Sequence, residues 1–228
     1  MRRLLSMEWR NVLFAHWPVP VETVAQSLPE ELSVDTFDGS AWLGVVPFRM
    51  ADIRPRGSPI GRSFYELNLR TYVTLDGQPG VYFYNLDADD RLGVAVARRL
   101  FRLPYYRARM TAHRHGSRTR LQSVRTHPDA PDVRFRASFE PTGLPEPARD
   151  DSLAAFLTER YRFYVADDRG RIYFADIDHP PWDLQPATVT FDRNDLLAAS
   201  GFDAPDSERV VHFSPGLDVT AGRLRRHR

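Results

Sequence analysis

A chain of 228 residues with 31 basic and 30 acidic side chains, 42% hydrophobic residues and 18 prolines is neither disordered nor fibrous, and its length favours a single domain. It contains no cysteine, which excludes disulfides, thiolate nucleophiles, iron–sulfur clusters and cysteine-based zinc sites. Every basic residue is arginine, so no lysine amine exists to form a Schiff base with a carbonyl substrate or with pyridoxal phosphate.

The opening MRRLLSMEWRNVLF has the basic front of a signal peptide, but Glu8, Arg10 and Asn11 interrupt its apolar run. No window approaches the ~18 apolar residues of a spanning helix, and the expectation is a cytoplasmic protein with no membrane segment. Residues 19–29 predict a short helix with Val21, Val24 and Leu28 at helical spacing, stopped by Pro29. Residues 34–48, 63–75 and 80–88 are rich in aromatic and β-branched side chains and predict strands, with turn signals at Asp76-Gly77 and Pro79-Gly80. Between Asp87 and Pro104 lies a predicted helix, capped by Asp89 or Asp90, with Leu92, Val96 and Leu100 in one stripe. Residues 107–114, 118–125 and 133–141 alternate Arg with smaller or apolar residues, around a His115-Gly116 turn, and predict strands wet on one side. A loop over 141–147, a helix over 152–161, a hairpin over 161–177 turning at Gly170, and a last short helix over 192–200 precede two brief strands. Residues 223–228, RLRRHR, read as a loose basic tail behind a single domain over 1–222. Strands dominate and no strand–helix alternation suggests a parallel sheet, so the predicted class is mainly β (α+β), an antiparallel barrel or sandwich with a few short helices.

The runs WRNVLFAHWPV, LPEELSVDTFDGSAWLGVVPFRM, YELNLRTYV, GVYFYNLDA, ARRLFRLPYYRA, TERYRFY and HPPWDLQPA resemble the YqjF-like proteins of domain of unknown function 2071, over nearly the whole chain. That resemblance implies the fold of acetoacetate decarboxylase, a single antiparallel β barrel or cone with a ligand cavity inside and peripheral helices. It also implies where the decarboxylase chemistry would stand. The Pro-Lys-Lys motif that carries the Schiff-base nucleophile falls on Pro104-Tyr105-Tyr106, an active-site carboxylate falls on Glu66, and two arginines fall on Arg10 and Arg98. The frame is kept without the nucleophile, which excludes a Schiff-base decarboxylase.

Read from the residues themselves, Glu66 is the best general base, and strand alternation places it with Phe64 and Asn68 on one face. Its alternative is a structural ion pair with Arg10, Arg70 or Arg98. Tyr105 and Tyr106 carry phenols that can donate to a carbonyl or enolate oxygen, or else fill a core. Arg10 and Arg98 are candidate anchors for an anion, and His16, Trp17 and His179 stand in aromatic surroundings that suit a ligand. His113 and His115 share a strand face without a third ligand, so neither a metal nor any cofactor is expected. Eleven arginines against Asp129 and Asp132 between Arg98 and Arg136 make a basic middle, for which a solvated face is favoured over specific nucleic-acid binding. Exposed strand edges are compatible with a homo-oligomer. Three functions follow: a lysine-independent lyase or hydrolase acting on a small carbonyl compound or organic acid, a non-catalytic binding or sensing module for such an anion, or an interaction protein using its Arg-rich face.

Overall fold

Runs that are apolar at almost every position, such as residues 41–48, form strands only where both faces of the sheet are covered. The computed structural model, which describes residues 4–227, meets that condition. Residues 1–3, the first part of the basic front, and Arg228 lie outside the described residues. The chain runs β1 (Leu5–Val19), α1 (Val21–Ala25), β2 (Ser33–Val34), β3 (Ala41–Pro55), β4 (Arg62–Leu75), β5 (Gln78–Ala88), α2 (Arg91–Phe101), β6 (Tyr105–His115), β7 (Arg118–Arg125) and β8 (Arg134–Pro141). It continues through β9 (Glu146–Pro147), α3 (Leu153–Thr158), β10 (Arg162–Ala166), β11 (Ile172–Asp178), β12 (Asp183–Asn194), α4 (Leu196–Ala199), β13 (Val210–Ala221) and β14 (Arg225–Arg226).

Five neighbouring strands, β13-β1-β3-β4-β5, form the shared wall of the molecule. From β5 one path of pairings runs through β10 and β11 back to β13, and a second runs through β6, β7, β8 and β12 back to β13. The wall's two faces therefore look into different cores. Leu13, Ala15, Leu43, Val45, Leu67 and Leu69 pack with Met110, Leu121, Phe135, Phe139 and Val189 on the second path. On the other face Trp42 and Tyr72 pack with Phe163, Val165 and Ala175 of β10 and β11, while Phe14, Val46 and Phe48 pack with Trp182.

Most pairings are antiparallel, as expected, but β5 joins both β6 and β10 in parallel. The helix α2 supplies the crossover that a parallel β5–β6 pair requires. Asp90 is the cap: its carboxylate accepts from the Leu92 amide at 3.1 Å and from Arg62 through two bonds of 2.6 Å. The buried side of α2 is Val94 and Phe101, whereas Leu92, Val96 and Leu100 are exposed, so the predicted stripe is real but faces outward. Only a short α1 forms within 19–29, and residues 35–40 turn instead of extending the strand expected there. Residues 5–19, where Glu8, Arg10 and Asn11 break the apolar run, form a strand that no expectation covers. Asn11 takes φ 53° at a register shift of β1 on β3, a bulge that the short amide side chain tolerates. One of the two brief strands expected near the end is the 12-residue β13. The basic tail is not loose, since Arg225–Arg226 pair with Tyr173 and Phe174. Among the described residues no helix is long and apolar enough to cross a membrane.

Gly216 marks the tightest approach in the wall. Its φ is 123°, and a Cβ there would lie 2.0 Å from the Trp9 carbonyl oxygen on β1. Gly216→Ala is expected to cost about 2 kcal/mol or more through backbone strain and displacement of β1. Urea unfolding checks this, and an unchanged midpoint would refute the close approach.

Candidate functional site

Alternation along β4 sets Glu66, Asn68, Arg70 and Tyr72 on one face. The register holds that face across three strands: Glu66 opposes Phe48, Asn68 opposes Val46 and Arg70 opposes Gly44 on β3, and Gly44 opposes His16 on β1. All five polar residues are buried, from 0% exposed for His16 and Tyr72 to 8% for Arg70. Only a glycine leaves room at position 44, because a Cβ would come within 2.7 Å of the His16 ring.

At one end of the row the Tyr105 hydroxyl lies 2.5 Å from Glu66 Oε2, and the Asn68 amide donates to Oε1 at 3.3 Å. Burial pushes Glu66 up to about 7, against these two hydrogen bonds, and pushes the Tyr105 phenol well above its ordinary value. The Asn68 Oδ1 has no partner. At the other end, Arg70 donates from Nη2 to the Leu157 carbonyl of α3 at 3.0 Å, and its guanidinium lies 5.5 Å from the Phe14 ring and 5.7 Å from the Tyr72 ring. It makes no salt bridge among the described residues, and its Nε is buried without a partner. Tyr72 donates its only hydroxyl hydrogen to Leu157 at 2.8 Å, so at 2.7 Å His16 Nε2 is the donor to Tyr72 and His16 Nδ1 is a free acceptor. Burial first, then Arg70 and His212, holds the His16 pKa well below its usual value, which leaves the ring neutral.

The opposite face of the same sheet carries a second buried pair. Arg125 Nε donates to Asp87 Oδ1 at 2.8 Å, with Asp87 Oδ2 and Arg125 Nη2 unpartnered. Burial outweighs the arginine and raises Asp87 to about 6. Tyr106 belongs here, because its register partner is Asp87 while that of Tyr105 is Leu86. The Arg125 guanidinium lies 4.1 Å from the Tyr106 ring centre.

Of the residues expected to converge, Glu66 and Tyr105 meet, and Arg98 touches them only indirectly, donating to the Tyr105 carbonyl at 2.6 Å. Tyr106 is on the far face. Arg10 does not reach Glu66: it shares the outward face of β1 with Arg49 and Tyr65 and pairs with Glu8 and Asp218 at 3.0 Å, half-exposed. His16 joins the row at Arg70, but Trp17 alternates away into the other core against Phe191. His179 stacks on Tyr161 at 4.5 Å and stands near Trp9 and Trp182, with Nδ1 2.8 Å from the Pro180 carbonyl oxygen. Arg70, expected only as an ion-pair partner of Glu66, is also a member of the row; carrying the alternation of FYELNLRTY two residues past Asn68 places it on the same face as Glu66. Among the described residues no group of three or more His, Asp or Glu side chains is arranged to hold a metal ion.

The family profile of DUF2071, described as an uncharacterized conserved protein, matches residues 6–218. The chain is 40% identical over 226 residues to the uncharacterized protein YqjF of Bacillus subtilis strain 168, covering 98% of this chain and 92% of that one. Among solved structures it is similar to the enduracididine biosynthesis enzyme MppR complexed with pyruvate, at 14% identity and a TM-score of 0.66, covering 99% of this chain and 91% of the other. It is also similar to the acetoacetate decarboxylase of Legionella pneumophila strain Philadelphia 1, at 14% identity and a TM-score of 0.64, covering 97% and 87%. At that identity the likeness is one of fold, which is acetoacetate decarboxylase-like.

The state of Glu66 is readable in stability. Below its ordinary value of 4.5 the carboxyl is protonated in both folded and unfolded chains. Between 4.5 and about 7 the folded chain keeps a proton that the unfolded chain has released, so stability falls as pH rises, and above about 7 the penalty is constant. Glu66→Gln removes this slope and is expected to be more stable than wild type by up to about 3 kcal/mol at pH 8, with little difference at pH 4. Asp87 titrates identically in both proteins. Urea unfolding of the pair at the two pH values measures the difference, and a gain that does not change with pH would refute a raised Glu66.

Proposed function

The chain belongs to the DUF2071 family, and we propose that this member binds a small organic acid bearing a carbonyl group against the Glu66–Arg70 face of β4, within a barrel closed by β10 and β11. The observation that carries the reading is Arg70, a buried guanidinium with no carboxylate partner among the described residues and an unpartnered Nε. A buried charge without a counter-charge costs several kcal/mol, and the nearby rings, the Tyr72 hydroxyl and one carbonyl offset only part of that. A ligand carboxylate completes the pair. The same face also buries the unpartnered indole N–H groups of Trp9, Trp42 and Trp182, donors that suit an oxygen-rich ligand. The fold relative MppR is described in complex with pyruvate, a compound of this class.

Chemistry on such a ligand is lysine-independent. Glu66 and Arg70 lie four residues apart on one strand, so their Cα atoms are about 13 Å apart, and the heads of two long side chains can flank a molecule of a few heavy atoms. A carboxyl titrating near 7 exchanges protons readily at neutral pH, which suits abstraction of a proton beside the ligand carbonyl, or hydration of that carbonyl, with Tyr105 keeping the carboxyl in place. A second reading, binding or sensing without turnover, shares the Arg70 site and is favoured by the missing lysine.

Pyruvate titration followed by tryptophan fluorescence, with deuterium incorporation at the pyruvate methyl followed by NMR, separates these readings. Binding should weaken about 30-fold or more in Arg70→Gln, the cost of losing a charge-assisted pair. Deuterium incorporation should be lost in Glu66→Gln while binding persists. Binding by the wild type without incorporation would leave the sensing function, and binding indifferent to Arg70→Gln would overturn both.

A further inference from the structure

Arginines outside the barrel face differ in whether an acid meets them. Arg118 pairs with Glu140 at 2.6 Å, Arg120 with Asp192 at 3.6 Å and Arg62 with Asp90 at 2.6 Å. Arg98, Arg99 and Arg107 form no salt bridge among the described residues, and they meet around one depression of about 390 Å³ between α2 and β6, lined also by Val94, Ala95 and His127. No carboxylate lines it; exposed Asp129 opposes the arginines only at His127, by its charge.

Most of the donor nitrogens there lack a partner among the described residues. Arg107 has a buried Nε with no partner. His127 Nδ1 accepts from the Arg107 backbone amide at 3.1 Å, which fixes the neutral ring as the tautomer with hydrogen on Nε2, a further donor. Burial and the charges of Arg98, Arg107 and Arg125 hold the His127 pKa down. Arg98 spends Nη1 on the Tyr105 carbonyl at 2.6 Å and keeps its other nitrogens. Arg98 and Arg99 lie in the last turn of α2, where the helix dipole favours cations, but that accounts for neither Arg107 nor the tautomer of His127.

We infer that this depression is a second anion site, separate from the barrel face, and that it takes the phosphate group of a small phosphate monoester. Three guanidinium groups suit a dianion with three equivalent oxygens better than a single carboxylate, which one fork satisfies. The apolar side chains of Val94 and Ala95 provide a wall for the organic part. A concave site of this size does not trace a nucleic-acid backbone, and along β7 the outward Arg118 and Arg120 are matched by acids.

Calorimetric titration of the full chain with glycerol 3-phosphate at low ionic strength, beside titration with inorganic phosphate, tests the site, and the His127 ring signals in NMR locate it. Saturable binding is expected at one site, with His127 shifts, weakened about tenfold or more in the exposed-residue variant Arg99→Gln and in Arg107→Gln. Pyruvate binding at the barrel face should be the same in wild type and Arg99→Gln, so this site and the Arg70 site fail or succeed separately. Absence of saturation by the wild type, equal binding by both variants, or a short DNA duplex that binds more tightly than glycerol 3-phosphate and is released by moderate salt would each overturn the inference.

Discussion

Covering the wall β13-β1-β3-β4-β5 on both faces is the constraint from which the rest follows. A sheet open to water on one side can turn every second side chain to solvent, but over residues 41–48 and 66–73 neither face has that outlet. The continuous burial of residues 41–48 and 66–73 is the local record of it. Polar side chains that alternation places on these strands have to be satisfied inside the protein, and the close approaches at Gly44 and Gly216 exist because two strands and their side chains must fit where no layer of water separates them.

Desolvation consequently decides the charge state of the wall. Glu66 and Asp87 point to opposite faces, and both are raised, to about 7 and about 6, with burial as the largest cause in each. Asp87 is raised even with Arg125 at 2.8 Å, because a single ion pair does not repay the loss of water around a carboxylate. His16 is driven the other way by the same cause, since for a base the charged form is the protonated one. Arg70 is buried on the same face, where the Leu157 carbonyl and the Phe14 and Tyr72 rings surround its guanidinium.

An acetoacetate decarboxylase-like fold shared at 14% identity shows how much of this arrangement is architectural. The overall fold is shared while the chemistry carried on it is free to differ. In this chain the position that the resemblance matches to the Schiff-base nucleophile holds Tyr105, a phenol hydrogen-bonded to Glu66. The carboxyl of Glu66 is thereby turned toward a partner that donates a hydrogen bond and carries no amine.

Composition alone settled that no lysine or cysteine chemistry occurs, since an absent side chain is absent in every conformation. Patterning located most strands and the helix α2, and narrowed its cap to Asp89 or Asp90, because period-two alternation and capping chemistry are local. It also set Glu66 and Asn68 on one face of β4, and the same alternation contained Arg70. Three things were decided only by the tertiary structure. Residues 5–19 form a strand despite Arg10 and Asn11, because a bulge at Asn11 absorbs the interruption and the charged residue turns outward. Tyr105 and Tyr106 part company, because neighbours on a strand face opposite ways and here each face has its own core. Which side of α2 is buried follows from the crossover between β5 and β6, and no apolar stripe specifies it when Leu92, Val96 and Leu100 are as hydrophobic as Val94 and Phe101. Spacing tells which side chains travel together, and only the packing of distant strands tells what they travel toward.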